Sequence, residues 1–537
     1  MANQSLKNVL WLLLDDWRNE AALPYSQSHM LTPTLDAFAS SALTFGRTYC
    51  QQALCGPSRA SFLSGRRPER TQTFSTARGG GEHWEGGLPG GHTWPSLPEY
   101  FKSRGWRVHG GGKIFHGNLR RTSIMWSSEP FKFRGYGACP GDCSGCADPF
   151  NTWCTVDDEK AQYDWKLAEN TVSVLRRMRA KADADLRAGH LPGPFFVMAG
   201  FVRPHQPWVV PTRFWQLYDR EERRAHVSHT SSFAATGAPS IAYGIGNLFE
   251  PPTRKKTGTP GCDNGSGDRY VRHLGGSDRT ISAVTQRAAR RAYFASITFV
   301  DEQMGKVLRS LDVLSMANQT LTIVSSDHGY SLGEHGMWHK YTNFELSTRT
   351  PLLIRAPWKP RSAGKSTEAL VELVDLYPTI AALAGAPLPR HGRVSASRFD
   401  GRDVSNLFDE PSLSEPDCTS DACVSVAVSQ YPRCSTFGCA RNYAGTMGYT
   451  ARSDAWRYTV WLPFANGTAD WTARPVAQEL YAYPKIQLNN SGVSVAVCHR
   501  HYETCDEQNV ADRLENRPTM MWLHAKLCAK MSKKPCA

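Results

Sequence analysis

Apolar positions along this chain fall into two alternating rhythms. Unbroken apolar runs of strand length occur at "KNVLWLLLDD", "PFFVMAGFV", "QTLTIVSSDHG" and "TPLLIRAP". A run without alternation suits a strand buried on both faces, because each set of side chains then meets a core. Between these runs, "TPTLDAFASSAL", "SLPEYFKSRG", "AENTVSVLRRMRAKADADL", "RAYFASITFVDEQMGKVLRSLDVL" and "VELVDLYPTIAALAG" carry apolar residues at helical spacing. Strands alternating with helices predict an α/β fold: a large, mostly parallel central sheet with helices on both faces.

Two stretches break the rhythm, Cys139 to Trp153 and Glu221 to Gly276. Both read as surface insertions. After Ala386 the helical pattern fades, and "FDEPSLSEPDCTSDAC" marks a boundary near residues 408 to 424. Beyond it, "VSVAVSQYP", "MGYTAR", "WRYTVWLPF" and "AQELYAYP" are short, aromatic and β-branched, which predicts a small antiparallel sheet. The expected organisation is therefore a larger α/β domain over residues 1–415 and a smaller α+β domain over residues 425–537.

Composition narrows the setting. The 537 residues hold 41% hydrophobic and 21% charged residues, within the range of globular proteins. Lys and Arg exceed Asp and Glu, 62 against 49, a surplus that suits an acidic partner (polyanionic sugar, nucleic acid or membrane) or simply a basic solvated surface. No nucleic-acid motif is present, and no segment reaches the roughly 18–20 apolar residues of a membrane span. Fifteen cysteines, some spaced as in "CPGDCSGCADPFNTWC", predict disulfide loops and an oxidising compartment. Zinc is the rival reading, weakened because Cys139, Cys143, Cys146 and Cys154 do not form two Cys-x-x-Cys pairs. Glycosylation sequons at Asn3, Asn264, Asn318, Asn466 and Asn489 fit secretion. The apolar N-terminal run meets two aspartates, so it reads as a strand, and a signal peptide is expected to be absent from this sequence.

Chemistry gathers beyond the carboxyl ends of parallel strands. Asp15 and Asp16 close the first strand, and Asp327 with His328 closes "TLTIVSS". Two acidic strand ends in one sheet supply oxygens for a hard cation such as Ca²⁺ or Mg²⁺, although caps and solvated turns look alike in sequence. The stretch "ALCGPSRASFLSGR" places Cys55 at a helix start, where the dipole lowers a thiol pKa, with Arg59 and Arg66 adding positive charge. In so cysteine-rich a chain, the residues alone favour Cys55 as a half-cystine. Setting it aside leaves 14 cysteines, an even number able to pair completely.

The same stretch, "CGPSRASFLSGR", resembles the signature of the formylglycine-dependent sulfatases, members of the alkaline-phosphatase-like superfamily. "GGKIFH", "RPHQPW", "YFASITFVDEQMGKVL" and "SSDHGYSLGEHGMWHKYTNFE" follow in that family's order. "QQALC", "SGRRP", "SQYPR" and "MGYTARSDAWRYTVWLPF" resemble its iduronate-type branch in particular. The likeness spans most of residues 8–464 and omits the two insertions and the tail after Asn489.

The resemblance implies conversion of Cys55 to formylglycine by a formylglycine-generating enzyme in the secretory pathway. The hydrated aldehyde would attack sulfur. It implies one Ca²⁺ held by Asp15, Asp16, Asp327 and His328, with residue 55 completing the shell; His328 stands where many members have Asn. Arg59 would hold the nucleophile's oxygens, Lys113 and Lys340 would clamp sulfate, His116 would be a base and His205 the acid for the leaving alcohol. A second histidine common three residues before the latter is Val202 here, so a two-histidine role is not expected. His335 and His339 read as structural, and His83 and His109 have no motif around them. The implied substrate is a sulfated glycan, with a 2-O-sulfate removed from a terminal uronic acid. Lys340 is again the cation for the neighbouring carboxylate, and the location is the lysosome or the extracellular space. Another sulfated sugar, a phosphate or phosphonate monoester, and a non-catalytic glycan-binding role are the alternatives.

Overall fold

A computed structural model describes residues 6–19, 30–76, 94–116, 122–132, 135, 153–219, 234–243, 283–388, 399–413, 426–433, 444–487, 494–496 and 505–532. Its largest sheet has eight strands. Across it run Lys365–Glu372, Leu43–Tyr49, Leu352–Arg355, Thr320–Ser326, Asn8–Asp15, Phe195–Pro204 and Arg107–Gly112, with Arg349–Thr350 beside Leu43–Tyr49. Asn8–Asp15 lies between two parallel neighbours, Phe195–Pro204 and Thr320–Ser326; only Leu352–Arg355 and Arg349–Thr350 pair antiparallel.

The first strand shows why its run is unbroken. Leu10, Leu12 and Leu14 point into one core, with the helices Tyr163–Arg187 and Ala283–Val313. Val9, Trp11 and Leu13 point into the other, with the helices Cys55–Ser64, Leu97–Ser103 and Leu376–Leu383. Both faces are covered, so no position is left for a polar residue until the strand ends at Asp15.

A separate antiparallel sheet joins Ala427–Arg433, Ala444–Arg452, Trp456–Ala465 and Thr468–Ala469, with Ala477–Ala482 also on Trp456–Ala465. It packs on the helix Arg517–Lys530 around its own core of Val428, Met447, Tyr449, Val460 and Leu523. This is the expected α+β arrangement.

The sequence pattern missed several elements. Leu43–Tyr49 and Arg107–Gly112 are strands, and Arg517–Lys530 is a helix. Within "VELVDLYPTIAALAG" the first two residues finish the strand Lys365–Glu372, and a helix starts only at Leu376. Most of the insertion at 139–153 lies outside the described residues; its end, Trp153, starts a short strand. Of the second insertion, residues 234–243 are described.

Candidate active site

Two neighbouring strands deliver the acids. Because Asn8–Asp15 and Thr320–Ser326 run parallel in register, Asp15–Asp16 and Asp327–His328 emerge side by side at one sheet edge. Asp327 Oδ1 accepts hydrogen bonds from the backbone N–H of Asp16 at 3.2 Å and of His328 at 3.0 Å, locking the two strand ends together. Asp16 is a non-glycine residue at φ 63°, a conformation that needs support. Tyr293 supplies it: its hydroxyl donates to the Asp16 carbonyl at 2.7 Å and accepts from the Arg18 N–H at 2.8 Å.

The helix Cys55–Ser64 starts at Cys55, with Leu54 as an extended N-cap. Cys55 Sγ lies 3.4 Å from Asp15 Oδ1, 3.5 Å from Lys113 Nζ and 3.2 Å from Lys340 Nζ. One turn on, Arg59 Nε donates to Asp327 Oδ2 at 2.9 Å and its guanidinium lies 3.4 Å from Asp15 Oδ2. Ser58 donates to the Asp327 carbonyl. Lys113 pairs with Asp15, and Lys340 pairs with Asp16.

Lys113 reaches this place through a close backbone contact. Its N–H donates to the Gly200 carbonyl at 2.7 Å. A Cβ on Gly200 would stand 2.2 Å from the Lys113 carbonyl oxygen. Gly112, at φ +82°, would put a Cβ 2.1 Å from the Gly200 oxygen. Only glycine at both positions lets the turn before Lys113 close on the neighbouring strand.

The electrostatics follow from burial and crowding. Burial alone would raise Asp15, but Lys113, His205, Arg59 and Lys340 hold its carboxyl well below the usual range. Asp16 is pushed up to about 8 by burial, with Asp15 and Cys55 adding to the push and Lys340 opposing it. Burial would lower Lys340, yet Asp16 and Cys55 hold its ammonium well above the ordinary value. The Cys55 thiol is raised, not lowered as its helix position suggests: burial and Asp15 outweigh Lys113 and Lys340. Burial, then Lys113, holds His116 near 4. His205 is driven well below its usual value by burial, Lys113 and Lys340.

His328 provides a test for a metal. Its Nδ1 lies 2.9 Å from the Gly329 carbonyl, which can only accept, so Nδ1 carries the proton. The bare Nε2 is buried without a hydrogen-bond partner, 3.4 Å from Asp16 Oδ1 and 3.6 Å from Asp327 Oδ2. A lone pair facing two carboxylate oxygens is repulsive unless a cation stands between them. Asp15, Cys55, Asp327 and His328 bring one potential ligand atom each within 4.8 Å of one another, as do Asp15, Asp16, Cys55 and His205. The donor set fits a divalent cation.

All the residues singled out in the sequence as site residues therefore gather here: Asp15, Asp16, Cys55, Arg59, Lys113, His116, His205, Asp327, His328 and Lys340. Arg66 does not; its guanidinium stacks over Trp94 at 4.4 Å and Phe399 at 4.8 Å. His335 bonds the Cys505 carbonyl at 2.6 Å, His339 the Lys340 carbonyl at 2.8 Å, and His109 the Ser128 hydroxyl at 2.9 Å. His83 lies outside the described residues. Cys55 is no half-cystine, and neither is Cys50, so the 14 cysteines counted as able to pair become at most 13. Cys154, Cys505 and Cys528 are disulfide-bonded, which excludes Cys154 from a zinc site. Ser58 and Tyr293, which the sequence reading missed, carry no signal beyond lying one turn from Cys55 and within an apolar helix.

A family profile described as Sulfatase matches residues 7–386. Iduronate 2-sulfatase of Mus musculus is 31% identical over 506 residues, covering 85% of this chain and 85% of that protein. The structure of BT4656 in complex with D-glucosamine-2-N,6-O-disulfate superposes with a TM-score of 0.65 at 16% identity, covering 99% of both chains. The phosphonate monoester hydrolase from Silicibacter pomeroyi gives 0.63 at 19% identity, covering 99% of this chain and 96% of that one.

Proposed function

This chain belongs to the sulfatase family, and on that premise we propose that it removes a 2-O-sulfate from a terminal uronic acid of a sulfated glycosaminoglycan or related polysaccharide. That it is a sulfuric ester hydrolase follows from the family; the sugar is our reading, supported by similarity to iduronate 2-sulfatase over most of both chains. The observation that carries the reaction is the convergence of Lys113, Lys340, Arg59 and the Asp16–His328–Asp327 donors on residue 55.

We assign Asp15, Asp16, Asp327, His328 and residue 55 to one Ca²⁺, which when bound screens the sulfate oxygens as a Lewis acid. Formylglycine at residue 55 supplies the oxygen nucleophile. The chain's own residues do the rest. Lys113 and Lys340 reach Sγ at 3.5 and 3.2 Å, which lets them neutralise a sulfate held there. Arg59, fixed by Asp327, directs a cation at the same point. His116, held near 4, keeps its lone pair at neutral pH and can accept a proton. His205 Nδ1 donates to the Gln206 carbonyl, which leaves Nε2 facing the site 4.0 Å from Asp16 Oδ2. To act as the acid for the leaving alcohol, Nε2 must take up a proton that burial, then Lys113 and Lys340, oppose. The negative charge of the bound sulfate relieves the part due to the lysines, so this protonation accompanies substrate binding.

Residues 1–415 form the catalytic part and residues 425–537 the smaller part in this reading, supported by the second sheet and its separate core. Secretion with maturation by a formylglycine-generating enzyme, and a lysosomal or extracellular destination, draw support from disulfide-bonded Cys154, Cys505 and Cys528. The sequon residues Asn318 and Asn466 are exposed. No helix among the described residues is long and apolar enough to cross a membrane.

Turnover of a 2-O-sulfated uronate disaccharide against a 6-O-sulfated glucosamine disaccharide tests the sugar; preference for the second overturns it. The likeness to a phosphonate monoester hydrolase keeps a second reading open, since both substrates are tetrahedral anions. Sulfate and phosphate esters of one alcohol separate the two: faster turnover of the phosphate overturns sulfate as the substrate.

A further inference from the structure

The motif "SQYPR" ends in Arg433, a residue outside the site that nevertheless grips it. Arg433 closes the strand Ala427–Arg433, and its guanidinium donates to three backbone carbonyls on two other segments: Ile241, Ala242 and Tyr341, each at 2.8 Å. Its cation lies 4.9 Å from the Tyr431 ring and 5.2 Å from that of Trp461. Among the described residues it forms no ion pair, and burial holds its pKa down to about 10 against the more distant pull of Tyr431 and Glu479. A cation placed against carbonyls in this way is an expensive means of stabilising a fold. It is an efficient means of fixing a backbone.

The backbone it fixes is strained. Tyr341 sits at φ 48°, in the left-handed region that a side chain disfavours. Its N–H donates to the Ala53 carbonyl at 3.3 Å, next to the Cys55 helix, while its own carbonyl accepts from Arg433. The peptide after Lys340 is thus clamped between the segment that presents Cys55 and the antiparallel sheet. The clamp continues two residues on. The Asn343 carbonyl accepts from Arg457 at 3.0 Å, and its side-chain amide donates to the Gly448 carbonyl at 3.0 Å. The Tyr341 ring stacks on His339 at 5.6 Å and lies 5.9 Å from Lys340 Nζ, so a shift of this peptide moves the ammonium as well.

We propose that Arg433 is a positioning residue: by tying the Tyr341 carbonyl to the antiparallel sheet and the 241–242 turn, it sets where the Lys340 ammonium stands beside residue 55. The assignment rests on the reading of Lys340 as a sulfate-binding cation. A placement error near an ångström at such a group costs up to roughly a hundredfold in rate or affinity.

Arg433→Lys keeps the charge but loses the planar fork that reaches three carbonyls. In the full-length enzyme, the expected result is a rise of roughly tenfold or more in KM for a sulfate ester and in the inhibition constant of inorganic sulfate. Asn343→Ala loosens the same segment without disturbing the Arg433 cation, and it decides the matter if Arg433→Lys does not fold; a rise of roughly threefold is expected there. Amide hydrogen exchange over residues 340–345 should quicken in both variants while the global unfolding midpoint moves little. A purely structural role lowers the amount of active enzyme and leaves KM, the sulfate inhibition constant and local exchange at wild-type values; that result overturns the proposal. If wild-type enzyme turns over no sulfate ester, the functional reading falls, and the exchange measurement still decides whether the clamp exists.

Discussion

The Lys340 ammonium stands 3.2 Å from Cys55 Sγ while also pairing with Asp16, so one cation serves both the reacting position and a neighbouring carboxylate. Replacing it removes the charge that a sulfate would meet. Lys340→Met is expected to lower kcat/KM for a sulfate ester by roughly 10²–10³-fold, the range found when one preorganised donor to a developing charge is lost. Lys340→Arg should recover part of that loss. Steady-state kinetics at equal folded concentration check it; a loss below threefold would remove Lys340 from the sulfate site.

Cys55→Ala should reduce turnover to background while leaving the unfolding midpoint within a few degrees of wild type. In active wild-type protein, mass spectrometry of the peptide containing residue 55 should find the sulfur replaced by an aldehyde oxygen. An intact thiol in fully active enzyme contradicts the assignment.

Chelation with EGTA should abolish activity and lower the unfolding midpoint, and added Ca²⁺ should restore both. Ligand at a hundredfold excess over its Kd stabilises a folded state by about 2.7 kcal/mol. In His328→Ala, Nε2 no longer faces Asp16 and Asp327, so the calcium dependence of the midpoint should weaken. An unchanged calcium titration in that variant counts against His328 as a ligand.

Acid should weaken the fold through Glu334. Burial favours its neutral form, but Arg18 and Arg290, each 3.1 Å away, hold the carboxyl at about 2 against an ordinary 4.5. A depressed folded value means the contribution is complete above about 4.5 and is lost as pH falls from there towards 2. Glu334→Gln should therefore be less stable than wild type at pH 7, with the gap narrowing by pH 3. Urea midpoints at both values measure it; a gap that widens in acid refutes the pairing.

Gly200→Ala should fold with a penalty of about 1–3 kcal/mol, typical of overpacking, and lose activity beyond what stability explains. The added methyl would meet the Lys113 carbonyl, so the displaced group is the lysine proposed to bind sulfate. Activity that falls only in step with the folded fraction would show the lysine unmoved.

Much of this was legible in the sequence because burial on two faces leaves an unmistakable run, as at residues 9–14, and because acids at adjacent parallel strand ends must converge. Arg107–Gly112 was not legible. Its glycines belong to a strand only because Trp126, Leu167 and the Gly200 carbonyl crowd them, and no local pattern announces those neighbours. Leu43–Tyr49 was missed for a related reason: every residue is buried, including Thr44, Arg47 and Thr48, whose polarity disguises the run. For Cys55, a local rule pointed the wrong way. A helix start favours thiolate, but the aspartate that accompanies it and the exclusion of water favour the thiol.

The enclosure of residue 55 also imposes an order of events. Among the described residues, Cys55 keeps 3% of its surface accessible and its helix is buried along its whole length, which leaves little of the side chain for another enzyme to grip. In the proposed reading, conversion of Cys55 would therefore precede closure of the sheet over it. Maturation would then be a race between a modifying enzyme and the chain's own folding, and a variant that folds faster would emerge well formed and inert.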